Sequence, residues 1–379
     1  MSESFDIVVI GGGAAGIAAA VSSARAGCKT LLLDQRPAAG GTGGFSGLAT
    51  LCGLFDDEGN FLNDGFAREF AEALNDENKG VQQHRPTKQG RAALPRGLIQ
   101  MGKVWVLQYR PQNFRELAAS LFNSTANLQT RFNTSLADVI LEGNRIVSLN
   151  GMKVGSVIDC SGSAEVARKV GAECLETDES TQAPAVVFPL HNVSREFNST
   201  TDAAQVLLPL ARAGFAPLNF QSALEANMIT VKFSGSPDQV PDLIKFLQTN
   251  VAGFEKCFSP VTEFTVTKRA GRMIVGQYLL TGEDVLAGRK FPDAVARCAW
   301  PIEQWHSDGV ARFKYLPPKI CYEIPARSLR AARIENLFMA GKTISADANA
   351  IASARVMGGC LATGAAAGNL AGGYLQSTC

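Results

Sequence analysis

Residues 5–34 read FDIVVIGGGAAGIAAAVSSARAGCKTLLLD. An apolar, β-branched run, Ile7 to Ile10, meets Gly11-x-Gly13-x-x-Gly16. Ala20, Ala24 and Gly27 follow, and a second apolar run, Leu31 to Leu33, closes on Asp34. The order predicts strand, tight turn, helix and second strand, the setting in which a Gly-x-Gly-x-x-Gly turn carries meaning. Gly11 permits the turn, Gly13 leaves the backbone open to a pyrophosphate, and Gly16 lets the helix pack closely. The helix start at Ala14 and Ala15 offers unpaired N–H groups and a positive dipole end to phosphates. Asp34, followed by Gln35 and Arg36, is placed to accept hydrogen bonds from ribose hydroxyls, and an acid there disfavours a 2′-phosphate.

Working outward, 379 residues suffice for two domains or one large composite. Hydrophobic residues make up 46% and charged residues 19%, an ordinary globular balance with ample core. Lys plus Arg is 36 and Asp plus Glu is 35, so nothing points to a nucleic-acid or polyanion partner. Nine cysteines contain no CxxC pair, and His84, His191 and His306 show no ligand spacing, so no metal site is expected. Without a secretion signal the cysteines read as reduced thiols of a cytoplasmic protein. Residues 6–24 lack the basic flank of a signal peptide. Residues 356–379 carry no charge, but Gly364, Gly368 and Gly372 at spacings of four point to a buried helix approaching a sheet, without membrane insertion.

Residues 35–62 are glycine-rich and expected to be irregular. Helices are predicted over 64–76, with Phe66, Phe70 and Leu74 in register, and over 112–122. Residues 78–103 read as a polar loop whose Arg91, Arg96 and Lys103, with Arg110, Trp105 and Tyr109, form a solvated face or an anion-binding lid. Short strands at 127–132, 136–141 and 145–149 lead to a strand over 153–162, and residues 176–317 alternate strands and helices. A strand over 336–340 runs into Gly341, and a last helix begins near Val356.

This order resembles the FAD-dependent oxidoreductases of the glutathione-reductase-type flavin fold. Three stretches carry the likeness: GGTGGFSGLATLCGLF (40–55), GRMIVGQYLLTGEDV (271–285) and the segment from Ile324 to Gly368. Cys160-Ser161-Gly162 stands where the family usually has Ala-Thr-Gly, and Lys342 where an Arg is often found. The resemblance implies an α/β fold: a Rossmann-like FAD-binding domain with a β-meander insert (1–175 and 318–379), plus a mixed α+β substrate domain (176–317). It also implies that Gly41, Thr42, Ser161, Gly162 and Gly341 line the pyrophosphate and ribityl chain, and that Ser353, Gly358 and Gly359 run beside the isoalloxazine.

No second Gly-x-Gly-x-x-Gly follows a strand, so one FAD and a small-molecule substrate are expected, with a homo-oligomer or separate electron acceptor left open. Arg355 and Cys52 are the candidate catalytic residues. Arg355 would bind a substrate carboxylate or be a structural ion pair; Cys52 would be a nucleophile, a relay, a flavin link or an inert buried thiol. Arg269, Arg272 and Tyr278 are candidates for the cleft wall; Tyr315 and Tyr322 border the cleft or, more readily, are core aromatics with a hydroxyl at a rim. The favoured function is dehydrogenation by hydride transfer to flavin N5. The alternatives are a flavin monooxygenase, a non-catalytic binding protein, and a sulfur-transferring thiazole-type synthase.

Overall fold

The computed structural model describes residues 3–76, 97–195, 200–215, 218–306 and 311–378. His84, Arg91 and Arg96 lie outside the described residues. β1 (Ser4–Ile10), α1 (Ala14–Arg25) and β2 (Thr30–Leu33) form where the opening motif places them. β1 and β2 pair in parallel, from Ile7 with Thr30 to Ile10 with Leu33. All four residues of each paired run are buried, which is why both strands read as continuous apolar runs.

The glycine-rich stretch is more ordered than expected, giving α2 (Gly41–Phe45) and β3 (Thr50–Cys52). α3 (Phe66–Asp76) buries Phe66, Phe70 and Leu74 as its periodicity requires. β4 (Leu98–Met101) and β5 (Val104–Gln108) form a hairpin that pairs with β3, so residues 98–101 are strand rather than loop. α4 (Pro111–Ser124) follows, with Pro near its start where no N–H is needed.

β6 (Leu128–Arg131), β7 (Val139–Glu142), β8 (Arg145–Leu149) and β9 (Met152–Asp159) complete the main sheet. Its order is β6-β2-β1-β9-β8-β7, parallel from β6 to β9 and antiparallel through the meander. The chain then forms α5 (Glu165–Lys169), β10 (Cys174–Glu176), β11 (Ala185–Leu190), α6 (Thr200–Arg212), β12 (Leu218–Ser222), β13 (Ile229–Phe233), α7 (Val240–Asn250), β14 (Val266–Thr267) and β15 (Arg272–Ile274). A second, antiparallel sheet has the order β12-β13-β11-β14. Alternation along its strands sends Val186, Phe188, Leu190, Ile229, Val231 and Phe233 into a separate core with Leu243 and Leu247 of α7.

α8 (Gly282–Leu286), β16 (Ala294–Cys298), β17 (Ile302–Trp305), β18 (Ala311–Lys314), β19 (Tyr322–Pro325), β20 (Leu337–Met339), α9 (Ala348–Ala354) and α10 (Met357–Thr378) close the chain. β20 joins the main sheet beside β9, in parallel. Met273, Leu280, Val285, Phe291, Ala296, Cys298 and Ile302 pack into the core of α1 and α10. The substrate unit expected over 176–317 therefore has its own core only between Val186 and Cys257, and the rest is shared.

α10 departs from expectation in its partner. A Cβ on Gly364 would fall 2.1 Å from the Ala15 carbonyl oxygen, and one on Gly368 2.6 Å from that of Ala19. The small-residue stripe thus serves helix–helix contact with α1, not approach to a sheet. Among the described residues no single helix is long and apolar enough to cross a membrane; α9 and α10 pass that test only as a pair bent by 95°.

Candidate active site

The carboxyl ends of β1 and β9, where the sheet order switches direction, form the floor of the candidate cofactor groove. Gly11 has φ +98°, and a Cβ there would meet the Cys160 carbonyl oxygen at 2.6 Å. A Cβ on Gly16 would lie 1.7 Å from the Gly11 oxygen, so this glycine lets the helix fold back on the turn. Gly13 differs. Its nearest neighbour would be Gly41 Cα at 4.0 Å, so the chain itself leaves room there. Gly13 is the N-cap of α1 and no side chain caps the helix, leaving its first N–H groups for a ligand.

Asp34 accepts a hydrogen bond from the Gly12 N–H and another from the Arg36 N–H at 2.7 Å. Its carboxylate so ties the end of β2 to the turn, and each oxygen retains accepting capacity for a ribose hydroxyl. Arg36 reaches back over the groove, its Nη1 3.6 Å from where a Gly41 Cβ would be, while Gln35 and Thr42 are exposed nearby. Gly341, with φ +69°, closes on Ala15 and on Cys360 Sγ. Gly162 lies against the Lys342 side chain. The donor set and the glycine cradle fit a dinucleotide.

Two of the expected contact residues have their hydroxyls engaged within the protein. The Ser161 hydroxyl donates to Asp159 (2.6 Å) and accepts the Glu165 N–H (3.0 Å), so it caps α5 and leaves only backbone for a cofactor. Burial pushes the Asp159 carboxyl up, and hydrogen bonds from Ser161 and Val166 pull it back. Ser353 is wholly buried, donating to the Trp300 carbonyl at 2.5 Å and bonded to the Tyr322 hydroxyl at 2.8 Å. Its side chain holds α9 to the core and is spent there. Tyr322 is accordingly a core residue, not a cleft wall, and Ser353 marks the end of a helix the sequence reading missed. That helix was signalled by Asp347, whose carboxylate caps it through the Ala350 N–H at 2.7 Å.

At the other end of the groove, a Cβ on Gly358 would meet the Gly53 carbonyl carbon at 2.5 Å, and one on Gly359 the Ala354 oxygen at 2.5 Å. The loop after β3 therefore lies directly on the start of α10, where Gly358 is needed for that contact and Gly359 for the turn between α9 and α10. Cys52, the last residue of β3, leads into this loop and is half-buried. Desolvation pushes its thiol up to about 12 although Lys232 pulls the other way. It is a neutral thiol at ordinary pH, which argues against a nucleophile.

Beyond Cys52 and Arg355 lies a charged cluster assembled from the second sheet and from β17. Alternation on β13 puts Thr230 and Lys232 on the face opposite the Val231 core. Glu303 of β17 accepts from Trp300 Nε1 at 2.7 Å and Trp305 Nε1 at 2.5 Å. Burial would raise its carboxyl, but Lys232, Arg355 and the two indoles hold it below the usual range. Arg355 donates to Gln182 Oε1 at 2.7 Å, and Gln182 donates to the Glu303 carbonyl at 3.0 Å. Among the described residues Arg355 Nε is buried without a partner. Arg269 lies 4.5 Å from the Trp305 ring centre. Arg272 pairs instead with Glu176 at the surface, Tyr278 donates to Asp284, and Tyr315 is exposed under Lys103. Arg110 pairs with Glu225 and Tyr109 is buried.

Lys232, Glu303 and Trp305 were not named in advance. No local spacing joins β13, β17 and the α9–α10 junction; only tertiary pairing does. Among the described residues no group of three His, Cys, Asp or Glu converges as a metal site.

The comparisons agree with this geometry. The chain belongs to the FAD dependent oxidoreductase family, whose model matches residues 6–232 and 219–379. The match names this family rather than the glutathione-reductase type. FAD is the cofactor, and the chain is an enzyme of that class. Among solved structures, it is similar to a geranylgeranyl bacteriochlorophyll reductase-like protein from Thermoplasma acidophilum, at 14% identity and TM-score 0.53, over 99% of this chain and 80% of that one. It is also similar to Aquifex aeolicus GidA, at 12% identity and TM-score 0.50, over 99% of this chain and 64% of that one. At these identities the likeness is one of fold. The chain spans less than two thirds of GidA's length.

Proposed function

We propose that this enzyme dehydrogenates a small or medium organic substrate. Bound FAD supplies a two-electron acceptor at flavin N5. The substrate C–H bond would break with its electron pair leaving as hydride, and the adjacent O–H or N–H would release its proton to water, giving C=O or C=N. The observation that supports this reading is the convergence of two parts. The loop at Cys52–Gly53 and the Arg355–Gly359 turn border the cofactor groove, and the Lys232–Glu303–Arg355 cluster stands immediately beyond them.

The residues divide the work accordingly. Gly13, Ala14 and Ala15 present backbone N–H groups to the pyrophosphate, and Asp34 orients the ribose. Cys52 presents a neutral, poorly hydrated surface. Gln182 fixes the Arg355 guanidinium, and Glu303, held anionic, sets its charge balance.

Anaerobic mixing of the yellow protein with a panel of alcohols, amines and acids tests the reading. Bleaching of the flavin by one compound, without NADPH, is the expected result. Bleaching by NADPH alone, followed by oxygen incorporation into product, would establish a monooxygenase instead. Protein that purifies colourless and gains no colour from added FAD would establish a binding module.

A further inference from the structure

The underside of the second sheet carries polar atoms that the protein leaves unpaired. Gln221 and Thr230 face each other across β12 and β13. They are 6% and 1% exposed, yet among the described residues Gln221 Oε1 and Thr230 Oγ1 have no partner. The Gln221 amide nitrogen is spent on Thr50 Oγ1 at 3.1 Å, and Thr50 lies two residues before Cys52 on β3. Two residues along from Thr230 on the same face comes Lys232. Among the described residues its Nζ makes no hydrogen bond, and the Trp305 ring lies 5.8 Å away. Arg355 Nε is the third buried orphan.

Charge points the same way. Lys232, Arg269 and Arg355 act on one another and on a single carboxylate, Glu303. Glu303 already accepts one indole N–H on each carboxylate oxygen. Arg269 donates to the Ala183 carbonyl and stacks on Trp305. Three cations against one carboxylate leave the cluster with a formal excess of two positive charges, and Lys232 and Arg355 are the two that face the orphan atoms. A planar guanidinium fixed at one end by Gln182 suits a carboxylate. Gln221 Oε1 only accepts, so it calls for a ligand that also donates, which a fully deprotonated phosphomonoester does not.

We infer that this face recognises an organic acid carrying a hydroxyl or amino group, with Lys232 and Arg355 taking the carboxylate and Gln221 and Thr230 the neighbouring O–H or N–H. The inference rests on the dehydrogenase reading above and names its substrate class. The ligand's donor group is also the group whose carbon would be oxidised.

The test uses the yellow holoprotein and four probes in both enantiomers where they exist: lactate, mandelate, alanine and phenylalanine. Each is compared with its amide, and inorganic phosphate is run as a competitor. Binding is read by perturbation of the flavin absorbance and by calorimetry, independently of turnover. At least one acid should bind, and its amide at least tenfold more weakly. Lys232→Met and Arg355→Met should each weaken that acid tenfold or more at unchanged flavin content, with Lys232→Arg restoring part of the loss. Equal binding of acid and amide overturns the inference, as do unchanged Met variants, tighter binding of phosphate, or a panel in which no acid binds. If a Met variant does not fold, the acid–amide comparison on the unmodified protein decides. Acids that bind but never bleach the flavin would leave this inference standing and sink the dehydrogenase reading. A neutral alcohol that bleaches it while acids fail to bind would do the reverse.

Discussion

Gly13 and Gly41 meet backbone to backbone across the cofactor groove. A Cβ on Gly41 would fall 2.7 Å from Gly13 Cα, whereas a Cβ on Gly13 would stop 4.0 Å short of Gly41 Cα. The contact is one-sided, and that asymmetry separates what the fold needs from what the ligand needs. Gly41, with φ +49°, is held by geometry; Gly13 is kept bare for something else.

Gly13→Val should therefore fold and purify colourless, because the added atoms occupy the pyrophosphate's place rather than the protein's. Gly16→Ala should instead cost stability by about 1–3 kcal/mol or more, since its Cβ collides with the Gly11 oxygen. The ratio of flavin to protein absorbance and the thermal midpoint, measured on both variants, separate the two effects. A yellow Gly13→Val protein would remove the groove assignment.

How much of this was legible in advance follows from where the information sits. The fingerprint was readable because each glycine's neighbour lies within a few residues, as with Gly16 and Gly11, or across one strand end. The meander was readable from its Gly143 turn. Helix α9 could have been found from Asp347, a capping residue before Ala348. The charged cluster around Glu303 could not. Lys232 looks like an ordinary charge in a strand until alternation places it under the sheet, and Glu303 acquires its meaning from Trp300 and Trp305 folding onto it.

Cys52 illustrates the limit of the reverse inference. No basic neighbour was visible in the sequence; the structure supplies one, Lys232, and burial still wins. Cys52→Ser should change turnover by less than about threefold, given that a thiol pushed up to about 12 offers almost no thiolate at neutral pH. A loss of a hundredfold or more, with flavin content intact, would return Cys52 to the chemistry. Acid precipitation should leave the yellow colour in solution if no covalent link is made.

Lys342 should make stability depend on pH. Burial between Gly162 and Gly271 lowers its ammonium to about 8, with Arg355 adding to the effect. In the unfolded chain the group keeps its proton to about 10.4. The unfolded state thus binds more protons between these values, and stability rises with pH across that window. Below pH 8 the folded protein must carry a poorly solvated charge whose donors reach, among the described residues, only the Lys268 and Ala270 carbonyls, at 3.3 and 3.4 Å. Lys342→Met should therefore melt higher than the parent at pH 6.5, and the gap should shrink by pH 9.5. A gap that widens with pH would contradict the assignment. Flavin content is measured alongside, because the neighbouring Gly162 borders the groove.

The α1–α10 seam offers a graded test of close packing along one helix. A Cβ would lie 2.1 Å from the Ala15 oxygen at Gly364, 2.6 Å from the Ala19 oxygen at Gly368, and 3.4 Å from Cys28 Sγ at Gly372. At Gly373 it would meet nothing within 4 Å. Alanine has the higher helix propensity by about 1 kcal/mol, so the same substitution carries opposite signs along the stripe. Gly364→Ala should be the most destabilising, because backbone oxygens cannot yield as a side-chain tip does. Gly368→Ala should follow, and Gly372→Ala should be close to neutral. Gly373→Ala, on the exposed face, should raise stability by about 0.5–1 kcal/mol. Chemical denaturation midpoints of the four variants read the order directly. Equal effects at Gly364 and Gly373 would mean that α10 does not lie on α1 as described. The same order has a functional shadow: Ala15 also touches Gly341 at the groove. Gly364→Ala, by displacing Ala15, should lower FAD affinity as well as stability, whereas Gly373→Ala should leave FAD affinity unchanged.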